Sequence, residues 1–152
     1  MTIKQIKQTL RSIRANRIEI RELEEKCEAI RSRAEKTTQT ITGMPSGSKE
    51  SGDRIGSYVS EMSELVCLLE DRLRELTEKE CHVIRMINRM STGIYRSILL
   101  IYYVTGPIGC TWEYVAGQIH YGCDYTKRLH GRALQELLAV LDEEDTKSHY
   151  GS

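Results

Sequence analysis

Between Thr111 and Leu134 the chain reads TWEYVAGQIHYGCDYTKRLHGRAL, a stretch dense in groups that bind anions or metals. Lys127, Arg128 and Arg132 are fixed cations of the kind that hold phosphate, and the hydroxyls of Tyr121 and Tyr125 can donate to the same oxygens. Cys110, His120, Cys123 and His130 are zinc-ligand types, but their spacing matches no familiar finger, so no metal site is expected. His120 and His130 read instead as turn and surface residues. Tyr102, Trp112 and Tyr114 read as core aromatics at helical spacing rather than as a stacking platform for bases. No Gly-rich phosphate loop after a strand, no nucleophile elbow and no carboxylate pair stands out. Neither an enzyme activity nor a cofactor is expected.

The remaining composition narrows what can present such groups. A chain of 152 residues has room for one domain, or for one small domain and an extended element. Charged residues make up 29%, there are two prolines and no phenylalanine, a balance that favours helices. The five cysteines are odd in number, scattered and free of any CxxC pair, which suits reduced thiols. No apolar run approaches the roughly 18–20 residues of a membrane span, and residues 1–30 are too charged for a signal peptide. A cytoplasmic, nucleoid-associated protein with no membrane partner is the expectation. Net charge is zero, yet residues 1–42 hold ten Lys/Arg against six Glu, while residues 135–152 hold one against five. Neutrality therefore excludes a chain coated in positive charge but permits a local basic face. Residues 142–152, which include Asp142, Glu143, Glu144 and Asp145, read as an acidic, disordered tail.

Two long apolar stripes precede the basic stretch. Ile3, Ile6, Leu10, Ile13, Ile20, Leu23, Cys27, Ile30, Ala34 and Ile41 recur at helical spacing and predict one helix over about residues 3–41. Ile55, Tyr58, Met62, Leu65, Leu69, Leu73, Leu76, Val83, Ile87 and Met90 predict a second. GMPSGSKESGD at 43–53 is a linker between them, so residues 1–90 should fold as a long antiparallel helical hairpin. One hairpin has a narrow seam. Leftover apolar residues (Ile18, Val59, Val66, Leu68, Ile84) suggest that the N-terminal helices join copies into a homodimer or higher homo-oligomer. Lys4, Lys7, Arg11 and Arg14 each follow a seam residue by one position. They are expected to pair with Glu61, Glu64, Asp71 or Glu75 on the return helix, contact with a nucleic-acid backbone being the other reading.

From Ser91 to Leu141 the pattern predicts three shorter helices. Ser91 or Thr92 caps the first, TGPIGC at 105–110 breaks it, Thr111 caps the next, and Tyr121-Gly122 turn into the last, which runs from about Cys123 to Leu141. Ala116 stands where two helices would cross, and Gly122 would supply a positive φ in the turn. Two helices joined by a tight turn, the second basic at its start, describe a helix-turn-helix.

The segment IYRSILLIYYVTGPIGCTWEYVAGQIHYGCDYTKRLHGRALQEL resembles region 4 of the primary-type, sigma-70 sigma factors of bacteria. The shared pattern is a helix, a Gly-containing loop, a "TxEEIA"-like helix (here TWEYVA), a turn, a recognition helix and a closing Arg132-Ala133-Leu134. The wider layout is similar to phage- and prophage-encoded late-gene activators of Gram-positive hosts, the RinA/ArpU-like regulators. The resemblance implies that Cys123, Asp124, Lys127 and Arg128 face the bases, with Tyr125 and Arg132 at backbone or packing positions. The chain departs from the sigma pattern at Tyr102 and Gly122, and no segment resembles a core-polymerase-binding or promoter-melting region.

The expected molecule is thus all-α: a long hairpin, then a sigma region 4-like helix-turn-helix over 91–141. Its expected function is sequence-specific regulation of transcription, as an activator of phage or prophage genes. Its site residues would be Thr111, Tyr121, Cys123, Asp124, Tyr125, Lys127, Arg128 and Arg132, and its partners double-stranded DNA and host RNA polymerase. A small-terminase-like packaging adaptor, or an interaction module that holds polymerase without touching DNA, are the alternatives.

Overall fold

The computed structural model describes residues 1–42 and 49–151. Every described element is helical, so the chain is all-α: α1 (Ile3–Thr42), α2 (Lys49–Asn88), α3 (Gly93–Leu100), α4 (Trp112–Ile119) and α5 (Cys123–Tyr150). Of the expected linker at 43–53, residues 43–48 lie outside the described residues. Lys49–Asp53 already belong to α2, since a single helical glycine such as Gly52 costs only about 1 kcal/mol. Among the described residues no helix is long and apolar enough to cross a membrane.

The chain divides into two compact units, Met1–Ile18 with Glu78–Ser152, and Glu19–Thr77. The unit that contains α3, α4 and α5 therefore also takes in the first four turns of α1 and the end of α2, which periodicity assigns to the hairpin alone. Its core shows why. Ile6, Leu10 and Ile13 of α1 meet Val83, Met86 and Ile87 of α2 and Met90 just after it, and both sets close on Leu99, Tyr103 and Val104 and on Ala133, Leu134 and Leu137 of α5. Two helices of eight residues and one side of α5 bury too little alone; the ends of α1 and α2 complete their core. A smaller cluster, Ile98, Cys110, Val115 and Leu129, with Trp112 and Ile119 packed against it, joins α3 and α4 to the start of α5.

The end of α5 departs from expectation. The helix continues past Leu141 to Tyr150, so residues 142–150 are helix rather than a disordered tail. Leu138, Val140 and Leu141 still pack on the core, Asp142 lies 3.9 Å from the Met1 amine, and Glu144 pairs with Arg89 in the turn after α2. Both of these carboxylates thus find a cation on another element.

In the second unit only Leu23, Cys27 and Leu76 are buried among the described residues. Arg72 bonds Glu19 at 2.9 Å and Arg31 pairs with Glu70, which hold the two antiparallel segments side by side. Leu65, a seam residue by its spacing, is 41% exposed, and Leu68 is 61% exposed. Two helices alone can cover only one stripe each. Ile84, by contrast, is no leftover: it packs on the core of the first unit.

Candidate nucleic-acid interface

The site is built on the break after α3. α3 runs directly into one π-helical turn, Ile101–Thr105, and Gly106 donates its N–H to the Ile101 carbonyl at 2.9 Å. A Cβ on Gly106 would overlap that carbonyl oxygen, so the close approach requires glycine. Gly109 takes a positive φ of 74°, which finishes the reversal. The loop then carries carbonyls that no helix satisfies. Arg14 of α1 reaches across, donating to the Tyr102 carbonyl at 3.0 Å and to the Cys110 carbonyl at 2.7 Å, and Arg17 donates to the Gly106 carbonyl. The Arg14 guanidinium also lies 4.0 Å over the Tyr102 ring, which in turn stacks on Trp112 at 4.0 Å. The pairing expected for Arg14 with acids of α2 is therefore corrected: a buried carbonyl without a donor costs more than an exposed carboxylate left in water.

From this anchor α4 starts at its cap. The Thr111 hydroxyl accepts the Tyr114 N–H at 3.3 Å, as its type and position predict. Glu113 follows in the first turn, where its own backbone N–H, then the Thr111 hydroxyl and more remotely Lys127, hold its carboxyl below the usual carboxylate range. Val115 and Ala116 are buried, so the small side chain does sit at the packed face of α4. Tyr114 is exposed, not core as its spacing suggested, because an eight-residue helix buries one face only.

The turn of three residues between α4 and α5 corrects another expectation. His120 has the positive φ, 61°, and caps α4, donating its N–H to the Ala116 carbonyl. Gly122 sits at an ordinary φ of −67° as the cap position of α5. Closure of the α4 C-terminus demands a left-handed residue directly after Ile119, and that position falls on His120. Thr126 then secures α5, fully buried, its hydroxyl donating to the Gly122 carbonyl at 2.8 Å.

The outer face of α5 holds most of the residues that the sequence singled out. Asp124, Tyr125, Lys127, Arg128 and Arg132 are exposed, while Thr126, Leu129 and Ala133 between them are buried. Asp124, Arg128 and Arg132 follow one another at four-residue spacing and so share a side of the helix. Tyr121 and Tyr125 are 49% and 42% exposed, their rings edge to face at 5.3 Å. Cys123 is half-buried, its thiol 3.8 Å from the Glu113 carboxylate. Gly131 lies on the same open face, and a Cβ there would meet nothing. Thr111 is committed to capping α4, and Glu113 stands between it and Cys123. Chemically, the face offers two guanidinium forks, an ammonium, a carboxylate and two phenols, with no reactive nucleophile or base among them.

Sequence reasoning missed three polar anchors behind this face. His130 is not a surface residue: its Nε2 pairs with the Tyr103 hydroxyl at 2.9 Å, and its ring packs edge-on to Trp112 at 4.7 Å. Burial, then the charges of Lys7 and Arg11, push its pKa down to about 4. Burial first, then neighbouring Tyr102, push the Tyr103 phenol up to about 12. Glu136 of α5 accepts the N–H and hydroxyl of both Ser91 and Thr92, at 2.7 to 3.2 Å, and so caps α3 from another helix. Burial opposes its charge, but these donors together hold its carboxyl below the usual range. Thr92 occupies the cap position with no side-chain cap bond of its own. The only signal in the sequence was a lone His and a lone Glu on an otherwise apolar side of α5. Among the described residues no group of three or more Cys, His, Asp or Glu could hold a metal; Cys110 is buried and donates towards the Ile101 and Tyr102 carbonyls. No protein-family profile, curated protein or solved structure matches this chain.

Proposed function

We propose that this chain is a sequence-specific DNA-binding regulator of transcription, an activator of phage or prophage genes, that lays the start of α5 in the major groove of double-stranded DNA. The observation that carries the reading is the arrangement of α4 and α5. Two short-linked helices pack Val115 and Leu129 together with Ile98 of α3 and bury Ala116 and Thr126, leaving Asp124, Lys127 and Arg128 exposed on the first two turns of α5. Arg and Lys there suit guanine O6 and N7, and Asp suits cytosine N4, while Tyr121 and Tyr125 stand where phosphates would pass. The likeness of TWEYVA…RAL to sigma region 4 supports the same reading and suggests host RNA polymerase as a second partner.

The test is a gel-shift series over salt with the full chain on duplex selected from the host and phage genomes. Lys127→Ala with Arg128→Ala should weaken binding by about 1–3 kcal/mol for each side chain that reads a base. The slope of log K against log salt should flatten by about one unit for each phosphate that is no longer neutralised. Unchanged affinity and slope would overturn the assignment. The exposed Leu65 and Leu68 favour a homo-oligomer built on α2. A ring-sized mass by light scattering would turn the reading towards a small-terminase-like packaging adaptor, whereas a dimer fits the regulator.

A further inference from the structure

Of the four cations on one flank of α1, only Arg14 is engaged. Lys4, Lys7 and Arg11 recur at spacings of three and four and so share that flank. Among the described residues none of the three makes an ion pair or hydrogen bond, which corrects their expected pairing with Glu61, Glu64, Asp71 or Glu75. With Ile3 and Gln8 they line an open groove of about 490 Å³. Among the described residues no acid of α5 lines it: Asp142 faces the Met1 amine, Glu144 pairs with Arg89, and Asp145 lines the neighbouring groove with Gln5, Thr9 and Ser12, Gln8 standing between the two. The strip belongs to the same compact unit as α5.

We propose that Lys4, Lys7 and Arg11 form a second phosphate-binding strip, which grips the backbone of the duplex that α5 reads. This rests on the DNA reading above and adds to it a contact from the far end of the sequence. From Lys4 to Arg11 the helix rises about 10 Å at roughly 1.5 Å per residue, which spans about three phosphates of one strand at roughly 3.4 Å of axis each. An acidic protein segment is the competing occupant. A protein partner would call for an exposed aromatic or aliphatic anchor among the charges, and the strip's apolar member, Ile3, packs against the core instead. Phosphates need only the cations.

The experiment compares the full chain with its K4Q/K7Q/R11Q variant on a mixed-sequence duplex over a range of salt. Far-UV circular dichroism verifies the helices, and a charge-keeping K4R/K7R/R11K variant serves as the second arm. The slope should fall by up to about 2.7 in K4Q/K7Q/R11Q, at roughly 0.9 per phosphate contact, and stay at the parent value in K4R/K7R/R11K. The preference for a selected site over mixed sequence should not change, which separates this strip from Lys127 and Arg128. A parent that binds duplex with a slope unaltered in K4Q/K7Q/R11Q overturns the strip alone. Loss of poly-glutamate binding in that variant, with the slope intact, assigns the strip to an acidic protein and likewise overturns it. A parent that binds no duplex overturns both readings.

Discussion

Lowering the pH from 7 to 5 should destabilise the compact unit around His130. The ring touches Trp112, Tyr103 and Tyr102, with centroids 4.7, 5.8 and 6.1 Å away, and its Nε2 lies 2.9 Å from the Tyr103 hydroxyl. The phenol, raised to about 12, stays protonated and can donate, so a neutral ring with its proton on Nδ1 accepts it. Protonation would remove that acceptor and add a charge beside Lys7 and Arg11. The folded pKa of about 4 lies below the ordinary 6.5, so between these values the unfolded chain binds the extra proton. Stability is therefore full above pH 6.5, is lost as pH falls and levels off below about 4. At pH 5 the whole shift corresponds to about 2 kcal/mol, and because the ring is only partly buried, about 1–1.5 kcal/mol is expected. Urea unfolding at the two pH values measures it. Glu113 and Glu136, whose carboxyls are lowered from 4.5, act below that window, and His82, His120 and His149 are exposed. His130→Gln keeps an acceptor for Tyr103 and should remove most of the pH dependence. The same loss in His130→Gln and in the parent would refute the reasoning.

The other predictions concern the frame of the site. Arg14→Met keeps the aliphatic stem but strips the Tyr102 and Cys110 carbonyls of their donor and removes the cation from the Tyr102 face. It should lower unfolding stability by about 2–3 kcal/mol, and a decrease under about 0.5 kcal/mol would mean that water replaces the guanidinium without penalty. Gly131→Ala should raise stability by about 0.5–1 kcal/mol, since the position is helical and open. Gly106→Ala should lower stability by more than about 2 kcal/mol, because its Cβ has no room beside the Ile101 carbonyl. Thermal melts of the two glycine variants should move in opposite directions; a common sign would contradict the backbone geometry of the α3–α4 loop.

Much of the molecule is determined locally and could be read from residue types in order. The stripes of α1 and α2, the break at TGPIGC, the Thr111 cap, the buried Val115 and Ala116 and the start of α5 at Cys123 all follow from periodicity and turn chemistry. Exposure of Asp124, Lys127 and Arg128 follows from the same period, because Thr126, Leu129 and Ala133 must face inward. What pairs with what was decided by tertiary structure. Nothing near Arg14 in the sequence shows that it will cap carbonyls some ninety positions away, or that Glu136 will cap α3 in place of Thr92. The turn needed a left-handed residue at a fixed distance from Ile119, so His120 took it although Gly122 was the easier residue. His130 and Tyr103 became a buried pair only because α1 closes over α5, and the helical stretch 142–150 finds Met1 and Arg89 within reach of Asp142 and Glu144. Periodicity specifies which side of a helix is apolar; which partner covers that side, and hence which charges remain free, depends on contacts between distant segments.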